Sequence, residues 1–273
     1  MTFESLQAHE AFVLAYLQRD YRRKNLERLV QEYVTGRRVL DVRCLTGHLA
    51  VDLARKGFEV TALDAHVKGV ELSNRHAREQ GLPGEIARLW DLEHLLEAVG
   101  VERFDTVICL DTLNHVDHDE LLLAQIASVL VDGGRLILAV PAHPALYGPR
   151  DRWLGHRRRY TRRGIQERLD RQGLSIRVHR YWNVLGLLPY LVIERVMKRQ
   201  IPERLRYGRA GSLPHRLLRW WYGTIENRLR FPTGLSHVIV AQKERNASGF
   251  SAKHPPGVET EPFCDPTDGR SVS

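Results

Sequence analysis

The sequence predicts an α/β fold: a doubly wound sheet of seven strands, in which the alternating first five strands are parallel, with helices on both faces and a helical insert before the last strand. Three observations support this fold class. Short apolar runs alternate with amphipathic segments after Gly36. The first apolar run ends in Asp41, turns tightly and continues as a helix. A chain of 273 residues that is 43% hydrophobic and 27% charged is long enough to bury one large core.

The strands are predicted from apolar runs bounded by turn residues, and the helices from apolar positions at helical spacing. The predicted strands cover residues 37–41, 58–63, 84–89, 104–110, 135–140, 174–181 and 235–242. The predicted helices cover residues 47–56, 67–80, 92–99, 119–130, 162–172 and 213–229. Residues 131–134 are predicted to form a turn, and residues 141–160 a loop. Because strand–helix alternation implies right-handed crossovers, the turns after the first four strands are expected to surround one cleft.

The remaining segments differ in composition. Residues 1–34 are predicted to be helical, residues 35–182 to form the core domain, and residues 235–243 to add its final strand. Residues 183–234 are predicted to form a helical lid, because they join an apolar stretch to a helical pattern that carries Trp220, Trp221 and Tyr222. That apolar stretch is shorter than the roughly 20 residues of a membrane span. Residues 244–273 are polar and predicted to be disordered.

The positive charge is concentrated in one segment. The chain carries a net charge of +8, and residues 147–180 alone contain eleven arginines and three acids. One interpretation is a solvated, arginine-rich helix face. The other is the rim of a site for an anionic substrate, a phospholipid surface or a nucleic acid.

The three cysteines show neither metal-ligand spacing nor a disulfide pattern, which fits a reducing cytosol. Cys44 and Cys109 lie near strand ends and are predicted to be small buried apolar residues. The first residues lack the basic start and apolar run of a signal peptide. A cytoplasmic protein is therefore expected.

Four features fall at the expected cleft. The first is the turn from Asp41 to Gly47, where a nucleotide-binding loop would be rich in glycine. The second is Asp64 at the end of strand two, where an acid suits ribose hydroxyls. The third is Asp91 after strand three, placed to accept a hydrogen bond from an adenine amino group. The fourth is the segment 109–116 after strand four.

Together these features resemble the Rossmann-like class I S-adenosylmethionine-dependent methyltransferases, in the broad small-molecule group called type 11 or type 12. In the family's first motif, Asp-x-Gly-x-Gly-x-Gly, Asp41, Thr46 and Gly47 match, whereas Arg43 and Leu45 replace two glycines. The segments 104–116 and 130–136 match two later motifs, and the resemblance covers about residues 33–242. Residues 140–147 and 154–161 further resemble a bacterial subgroup of these enzymes with an amphipathic helical insert.

The resemblance implies transfer of a methyl group from S-adenosyl-L-methionine to O, N or C of a small, lipophilic or anionic acceptor. It implies a cofactor site formed by Asp41, Arg43, Cys44, Thr46, Gly47, Asp64, Ala65, Asp91, Leu92 and Leu110. For Asp64, ribose binding is weighed against capping of the next helix, and Asp91 could cap a helix as well.

Three histidines are candidate acid–base groups: His115, His143 and His156. His115 follows strand four, nearest the expected methyl group. For each of them a purely structural hydrogen bond is an equally good interpretation. Tyr147, Arg157 and Tyr160 are candidate acceptor-binding residues, against core packing for the tyrosines and a surface role for the arginine.

Arg43 and Leu45 leave two alternatives open. A side chain at the first glycine position would crowd the methionine part of the cofactor, or Arg43 would pair with its carboxylate and keep weakened binding. A protein of this fold that has lost methyl transfer, acting as a partner subunit or with a repurposed pocket, is therefore a second hypothesis. A nucleic-acid methyltransferase is disfavoured, because no base-amine motif follows strand four. A peripheral membrane contact would suit an amphipathic lid beside a basic rim.

Overall fold

The structure is a computed structural model, and it describes residues 21–82, 84–91, 94–197 and 213–245. The strands are β1 (Arg38–Val42), β2 (Glu59–Asp64), β3 (Ala87–Leu89), β4 (Phe104–Leu110), β5 (Leu130–Pro141), β6 (Leu174–Trp182) and β7 (Ser236–Lys243). The helices of the first half are α1 (Tyr21–Gln31), α2 (His48–Arg55), α3 (Val67–Glu79), α4 (Leu95–Val99) and α5 (Asp119–Val129). Those of the second half are α6 (Pro149–Trp153), α7 (Arg162–Arg171), α8 (Leu187–Pro189) and α9 (Leu213–Trp220). A π-helical segment extends α8 (Tyr190–Val196), and another extends α9 (Trp221–Glu226).

The seven strands form one sheet in the order β3-β2-β1-β4-β5-β7-β6, which confirms the predicted doubly wound architecture. Strands β1 to β5 pair in parallel, but β7 is antiparallel to both of its neighbours. The parallel pairing expected for the first five strands is confirmed, and the last two strands add an antiparallel edge. The strand order reverses between β1 and β4, and in such sheets a ligand binds beyond the carboxyl ends of the strands at that point.

Side-chain alternation along the strands builds an apolar layer on each face of the sheet. In β1, Leu40 and Val42 enter one core with Phe104 and Leu138, whereas Val39 enters the other. This is the period-two alternation of an extended strand buried on both faces. Both layers hold the carboxyl ends of β1 and β4 at fixed positions beneath the cleft.

Three local expectations are corrected. The segment 141–160, expected as a loop, contains a 3-10 turn (Pro144–Leu146) and the short helix α6. Pro149 starts α6, and Asp151 accepts a hydrogen bond from Gly148 N at 2.9 Å, which caps the helix. The turn expected at 131–134 is instead an irregularity inside β5, whose pairing with β4 shifts register there.

The third correction concerns the helix expected over 213–229, which is α-helical only to Trp220 and then continues as a π-helical segment. The helix expected at the N-terminus is described from Tyr21 onward, and the tail predicted to be disordered lies outside the described residues after residue 245. No helix in the described parts of the chain combines the length and apolar character needed to cross a membrane.

Candidate functional site

The turn after β1 keeps a left-handed backbone at the three positions where the family motif has glycine. The φ angles are +67° at Arg43, +57° at Leu45 and +70° at Gly47. A Cβ atom at Gly47 would lie 2.5 Å from the Ser73 hydroxyl oxygen, so glycine is required there. Left-handed backbone costs a residue with a Cβ roughly 1–2 kcal/mol. Arg43 and Leu45 thus hold a strained turn that the two buried apolar layers enforce.

Arg43 spans the gap between the first and fourth strands. Its Nη1 donates to the carbonyl oxygen of Asp111, 2.8 Å away, just after β4. Asp111 also has a positive φ of +53°. Both residues line the same cavity, so a guanidinium and a carboxylate face one space beyond the ends of β1 and β4.

Asp64 ends β2 and is completely buried. Its Oδ2 accepts a hydrogen bond from Leu45 N at 2.7 Å, and its Oδ1 accepts one from His66 N at 2.9 Å. Burial raises the pKa of this carboxyl group, although the two amides and Arg43 oppose that effect. Asp64 therefore holds the strained turn against the start of α3.

Asp41, at the end of β1, is also buried. Burial raises its pKa from 3.8 to about 7, and the negative charges of Glu27 and Asp64 add to that effect against the charge of Arg23. The floor of the cleft is thus a cluster of buried acids and arginines.

The cavity itself has a volume of about 170 Å³. It opens beyond the strand ends of β1, β4 and β5, between the first turn, α6 and the segment that extends α8. Its lining residues are Arg22, Arg23, Leu26, Arg43, Leu45, Asp111, His115, Pro141, Arg150, Asp151, Leu154, His156, Arg159, Trp182, Asn183, Tyr190, Leu235 and Ser236.

A buried aspartate orients a histidine in the cavity wall. His156 Nδ1 lies 3.0 Å from Asp151 Oδ1, which also accepts from Arg159 Nε at 2.9 Å. Asp151 Oδ2 accepts from Gly148 N and from the Tyr190 hydroxyl, at 2.9 and 3.0 Å. Burial alone would raise the pKa of Asp151, but the hydrogen bond from His156 and the charge of Arg159 lower it to about 2. An ionised Asp151 fixes the proton on His156 Nδ1 and leaves Nε2 as the basic nitrogen.

His115 lies against His156 with the two rings edge to face and their centroids 4.9 Å apart. Burial strongly lowers the pKa of His115, and the positive charge of Arg43 lowers it further. His115 is therefore neutral at physiological pH. Of the three predicted acid–base histidines, the structure brings His115 and His156 together.

The third histidine, His143, is absent from the cavity lining. It contacts the Thr233 hydroxyl at 3.1 Å and stacks on Tyr181. Among the predicted acceptor-binding residues, Tyr147 donates to the His156 carbonyl, and Tyr160 is a core residue whose hydroxyl lies 3.0 Å from Asp119. Arg157 pairs with Asp117 at 3.0 Å. None of these four side chains lines the cavity, and each has a structural partner.

The predicted cofactor residues are dispersed around the first turn. Cys44, Thr46 and Leu110 are buried, and Ala65 is half-buried in the turn after β2. Asp91 is exposed and lies 2.9 Å from His94 Nδ1. Leu92 lies outside the described residues. Of the ten predicted positions, Arg43 is the one whose polar side chain lines the cavity.

Several residues of this cavity are not among the predicted site residues: Arg23, Asp151 and Tyr190, and also Asp111, although Asp111 belongs to the segment 109–116 expected at the cleft. For Asp111 a signal existed, because it directly follows the fourth predicted strand. For Asp151 the signal was its position three residues after Gly148, with proline in between, which is typical of a capped helix start. Arg23 and Tyr190 come from segments outside the predicted core, and nothing in their local sequence indicates the contact.

Most arginines of the segment 147–180 form ion pairs with acids of the same chain. Its arginines contact acids at the start of α5 and in the preceding loop: Arg157 with Asp117, Arg158 and Arg168 with Asp119, and Arg171 with Glu120. Arg150 and Arg159 instead line the cavity. The positive charge therefore reaches the site through two arginines rather than as a continuous basic surface.

Comparisons with known proteins bear on the family and on the fold. The profile of a family described as "Methyltransferase domain" matches residues 13–179. The ubiquinone biosynthesis O-methyltransferase of Caulobacter sp. (strain K31) is 38% identical over 104 residues, which is 38% of this chain and 40% of that protein. The protein of the same name from Paracidovorax citrulli is 39% identical over 99 residues, which is 36% of this chain and 41% of that protein. The chain thus matches about two fifths of the length of these relatives.

Solved structures with the same fold are more distant in sequence. A putative methyltransferase from Bacillus halodurans superposes with a TM-score of 0.54 at 18% identity, covering 80% of this chain and 97% of that one. The 4+2 cyclase SpnF superposes with a TM-score of 0.53 at 22% identity, covering 81% of each chain. These likenesses confirm the Rossmann-like fold. Because the family profile spans more than half of the chain, the chain belongs to this methyltransferase domain family, as its motifs had indicated.

Proposed function

We propose that this protein transfers a methyl group from S-adenosyl-L-methionine to a hydroxyl group of a small anionic acceptor. One observation carries the proposal. A histidine oriented by a buried carboxylate, His156 on Asp151, opens into the same cavity as Arg43 and Asp111, beyond the strand ends of the sheet. The O-methyltransferase names of the relatives from Caulobacter and Paracidovorax support oxygen as the atom methylated.

The charges of this cavity fit the methionine end of the cofactor. That end carries an ammonium and a carboxylate on one carbon, and Asp111 and Arg43 offer the opposite charges to the same space. A charge-assisted hydrogen bond from Arg43 would replace the backbone contacts that glycine positions normally allow. The replacement of the first glycine by Arg43 is thus compatible with binding at this end.

Binding of the cofactor's ribose requires the turn between Asp41 and Gly47 to open. Asp64 has no exposed surface, and both of its oxygens accept backbone amides from Leu45 and His66. A cavity of about 170 Å³ is also smaller than the roughly 300–1,000 Å³ of typical small-molecule sites. Ribose hydroxyls would reach Asp64 only after the Leu45 amide moves away. The strain at Leu45 lowers the cost of that movement.

When bound, S-adenosyl-L-methionine supplies an electrophilic methyl group on a sulfonium. The protein must hold the acceptor oxygen in line and remove its proton. His156 Nε2 is the proton acceptor in this proposal, and Asp151 stabilises the charged imidazole that forms. Because burial keeps His115 neutral, this ring adds no second positive charge next to the protonated His156.

The cavity wall supports an anionic acceptor. Five arginines and two aspartates line it, so its field is positive. Arg159 is already held by Asp151, Ala142 O and the Tyr190 hydroxyl. These contacts fix the position of Arg159, and Arg150 lines the same cavity as Arg159 and His156.

A cytoplasmic location with peripheral membrane contact belongs to the same proposal. The two cysteines in the described residues, Cys44 and Cys109, are free and buried, and burial raises the pKa of both thiols. Unpaired thiols suit a reducing compartment. A lipophilic acceptor would be met at the membrane surface.

The proposal is tested with 3,4-dihydroxybenzoate, a small acceptor that combines ionisable hydroxyls with a carboxylate. We expect the wild-type protein to form S-adenosylhomocysteine only when this probe is present. His156→Ala should lower kcat by roughly 10²–10⁴ with little effect on S-adenosylhomocysteine binding, since general-base catalysis has that magnitude.

His143→Ala is the matched control and should keep full activity. Equal rates for the two variants would exclude His156 as the base. Intact cofactor binding without turnover on this or other hydroxylated acids would exclude methyl transfer to such acceptors.

A further inference from the structure

The outward face of α9 carries an apolar stripe. Leu213, Leu217 and Trp220 are 68%, 55% and 56% exposed. Positions separated by four and three residues lie on one side of a helix, so the three side chains form a single line. Monomeric proteins rarely leave such contiguous apolar surface in water unless it binds something.

This stripe is distinct from the face that packs on the protein. Leu218, Trp221 and Tyr222 point inward and join the core on one side of the sheet. Arg180 of β6 holds the far end of the same segment, because its guanidinium donates to the carbonyls of Glu226 and Leu229 at 2.6 and 2.7 Å. The stripe is therefore presented by an anchored helix and is not an unpacked core face.

The surroundings of the stripe are positively charged. Arg216 and Arg219 are exposed beside it, and Arg228 and Arg230 are exposed further along. Glu226, an acid in the extension of α9, is fully buried and accepts hydrogen bonds from Val184 N and Trp221 Nε1. Along the sequence from Leu187 to Arg230 there are ten lysines or arginines and three acids.

A second apolar edge belongs to the segment that begins with α8. Leu188, Val192, Val196 and Met197 are exposed there. Tyr190 of the same segment points the other way, and its hydroxyl contacts Asp151 in the cavity wall. One side of this segment thus meets solvent with apolar side chains while the other side shapes the candidate site.

We propose that the stripe Leu213, Leu217 and Trp220, with its flanking arginines, docks on an anionic lipid bilayer. Leucine and tryptophan would enter the boundary between headgroups and acyl chains, and arginine would pair with lipid phosphates. A second copy of the chain is a poorer partner, because a twofold contact would bring identical arginine rows together. The proposal does not depend on methyl transfer, since lipid binding needs neither cofactor nor acceptor.

Sedimentation with vesicles tests this proposal on the full chain. We expect binding to vesicles of phosphatidylcholine mixed with phosphatidylglycerol and little binding to phosphatidylcholine alone. The combined change Leu217→Ser and Trp220→Ser should weaken binding at least about tenfold, because two apolar side chains no longer leave water. Arg216→Gln and Arg219→Gln should each weaken it roughly fivefold and reduce its salt dependence.

The controls are exposed residues away from this face. Val101→Ser, at a position that is 91% exposed, and Arg75→Gln on α3 should leave vesicle binding unchanged. Circular dichroism should show that every variant is folded. Equal binding to neutral and anionic vesicles would overturn the proposal, as would unchanged binding of the stripe variants. A dimer in solution that the stripe variants abolish, without vesicle binding, would assign the face to a second copy.

Discussion

Arg43 is the residue on which the site depends, because it occupies a glycine position without changing the path of the backbone. Its left-handed φ angle places the guanidinium toward Asp111 O and the cavity rather than toward solvent. A glycine there would relax the backbone and remove the charge. The substitution exchanges backbone access to a ligand for a positive charge at the same position.

Two substitutions separate the strain at Arg43 from its charge. Both Arg43→Ala and Arg43→Gly remove the guanidinium, but only glycine adopts a positive φ without a steric cost. We expect Arg43→Gly to be more stable than Arg43→Ala by about 1 kcal/mol. Urea denaturation of both variants measures the difference. Equal stabilities would show that the turn carries no strain at this position.

Asp41 makes stability depend on pH in a defined direction. Its folded-state pKa of about 7 lies above the ordinary 3.8, so the folded protein binds a proton that the unfolded chain has released. Its contribution to stability is complete below about pH 4 and is lost as the pH rises through about 7. Asp41→Asn resembles the protonated form and should remove this component.

Unfolding free energies at pH 5 and pH 8 measure that effect. We expect the wild-type protein to lose more stability than Asp41→Asn over this interval, by a few kcal/mol, since one pKa unit corresponds to about 1.4 kcal/mol. Asp132→Asn, at an exposed position, is the control and should follow the wild type. Parallel curves for wild type and Asp41→Asn would contradict the assigned pKa.

At the scale of elements, α9 and its extension are held by Arg180. The guanidinium donates to the carbonyls of Glu226, Asn227 and Leu229, which lie at the end of the helical segment and have no later turn to bind. The positive charge also lies at the negative end of the helix dipole. One side chain of β6 thus fixes the orientation of the apolar stripe.

Removing this contact should loosen the segment without unfolding the sheet. We expect Arg180→Met to cost about 2–3 kcal/mol, because hydrogen bonds from a charged donor are lost and buried carbonyls remain. Limited proteolysis should then cut within residues 213–230 faster than in the wild type. Arg177→Met changes an exposed arginine on the same strand and is the matched control. Equal cleavage of the two variants would contradict the anchoring role.

Strand and helix positions followed from the sequence because they depend on local periodicity. The prediction for β4 matches the observed Phe104–Leu110, and the prediction for β1 differs from the observed strand by one residue at each end. Side-chain roles did not follow in the same way. Asp64 ends its strand as predicted, yet its carboxylate is turned inward by the amides of Leu45 and His66. The contact with His66 is local, but the contact with Leu45, 19 residues earlier, is specified by no local pattern.

The contacts in the cavity wall also could not be predicted from local sequence. The residue type makes His156 a candidate, but nothing in the sequence pairs it with Asp151, which the fold places 3.0 Å from that histidine. Tyr190 reaches Asp151 from a helical segment far along the chain. Contacts between distant segments depend on tertiary packing, so local sequence patterns do not reveal them.

At the scale of the molecule, the positive charge lies in two groups of arginines, one in residues 147–180 and one beside the stripe of α9. Four arginines of residues 147–180 pair with Asp117, Asp119 and Glu120, and so hold α7 and the preceding loop on α5. The arginines beside the stripe of α9 lie on the surface. Part of the charge concentration in the sequence is therefore structural, whereas the exposed arginines beside the stripe belong to the insert.

The same insert joins the two proposed activities. The segment containing Tyr190 borders the cavity, and α9 presents the stripe to the outside. If the exposed apolar side chains Leu188 and Val192 also entered the lipid, the cavity wall that Tyr190 forms would lie close to the lipid surface. An acceptor with an apolar tail and an anionic head would then reach the arginines of the cavity without leaving the membrane.

The central claim is that the altered turn still binds the cofactor through its methionine end, and calorimetric titration with S-adenosylhomocysteine tests it most directly. We predict saturable binding to the wild type and a loss of about tenfold or more in Arg43→Ala, since a charge-assisted hydrogen bond is removed. Methylthioadenosine lacks the amino-acid end and should bind both proteins equally. No heat at millimolar S-adenosylhomocysteine, in wild-type protein shown to be folded, would contradict the claim, and so would equal affinities of the wild type and Arg43→Ala for it.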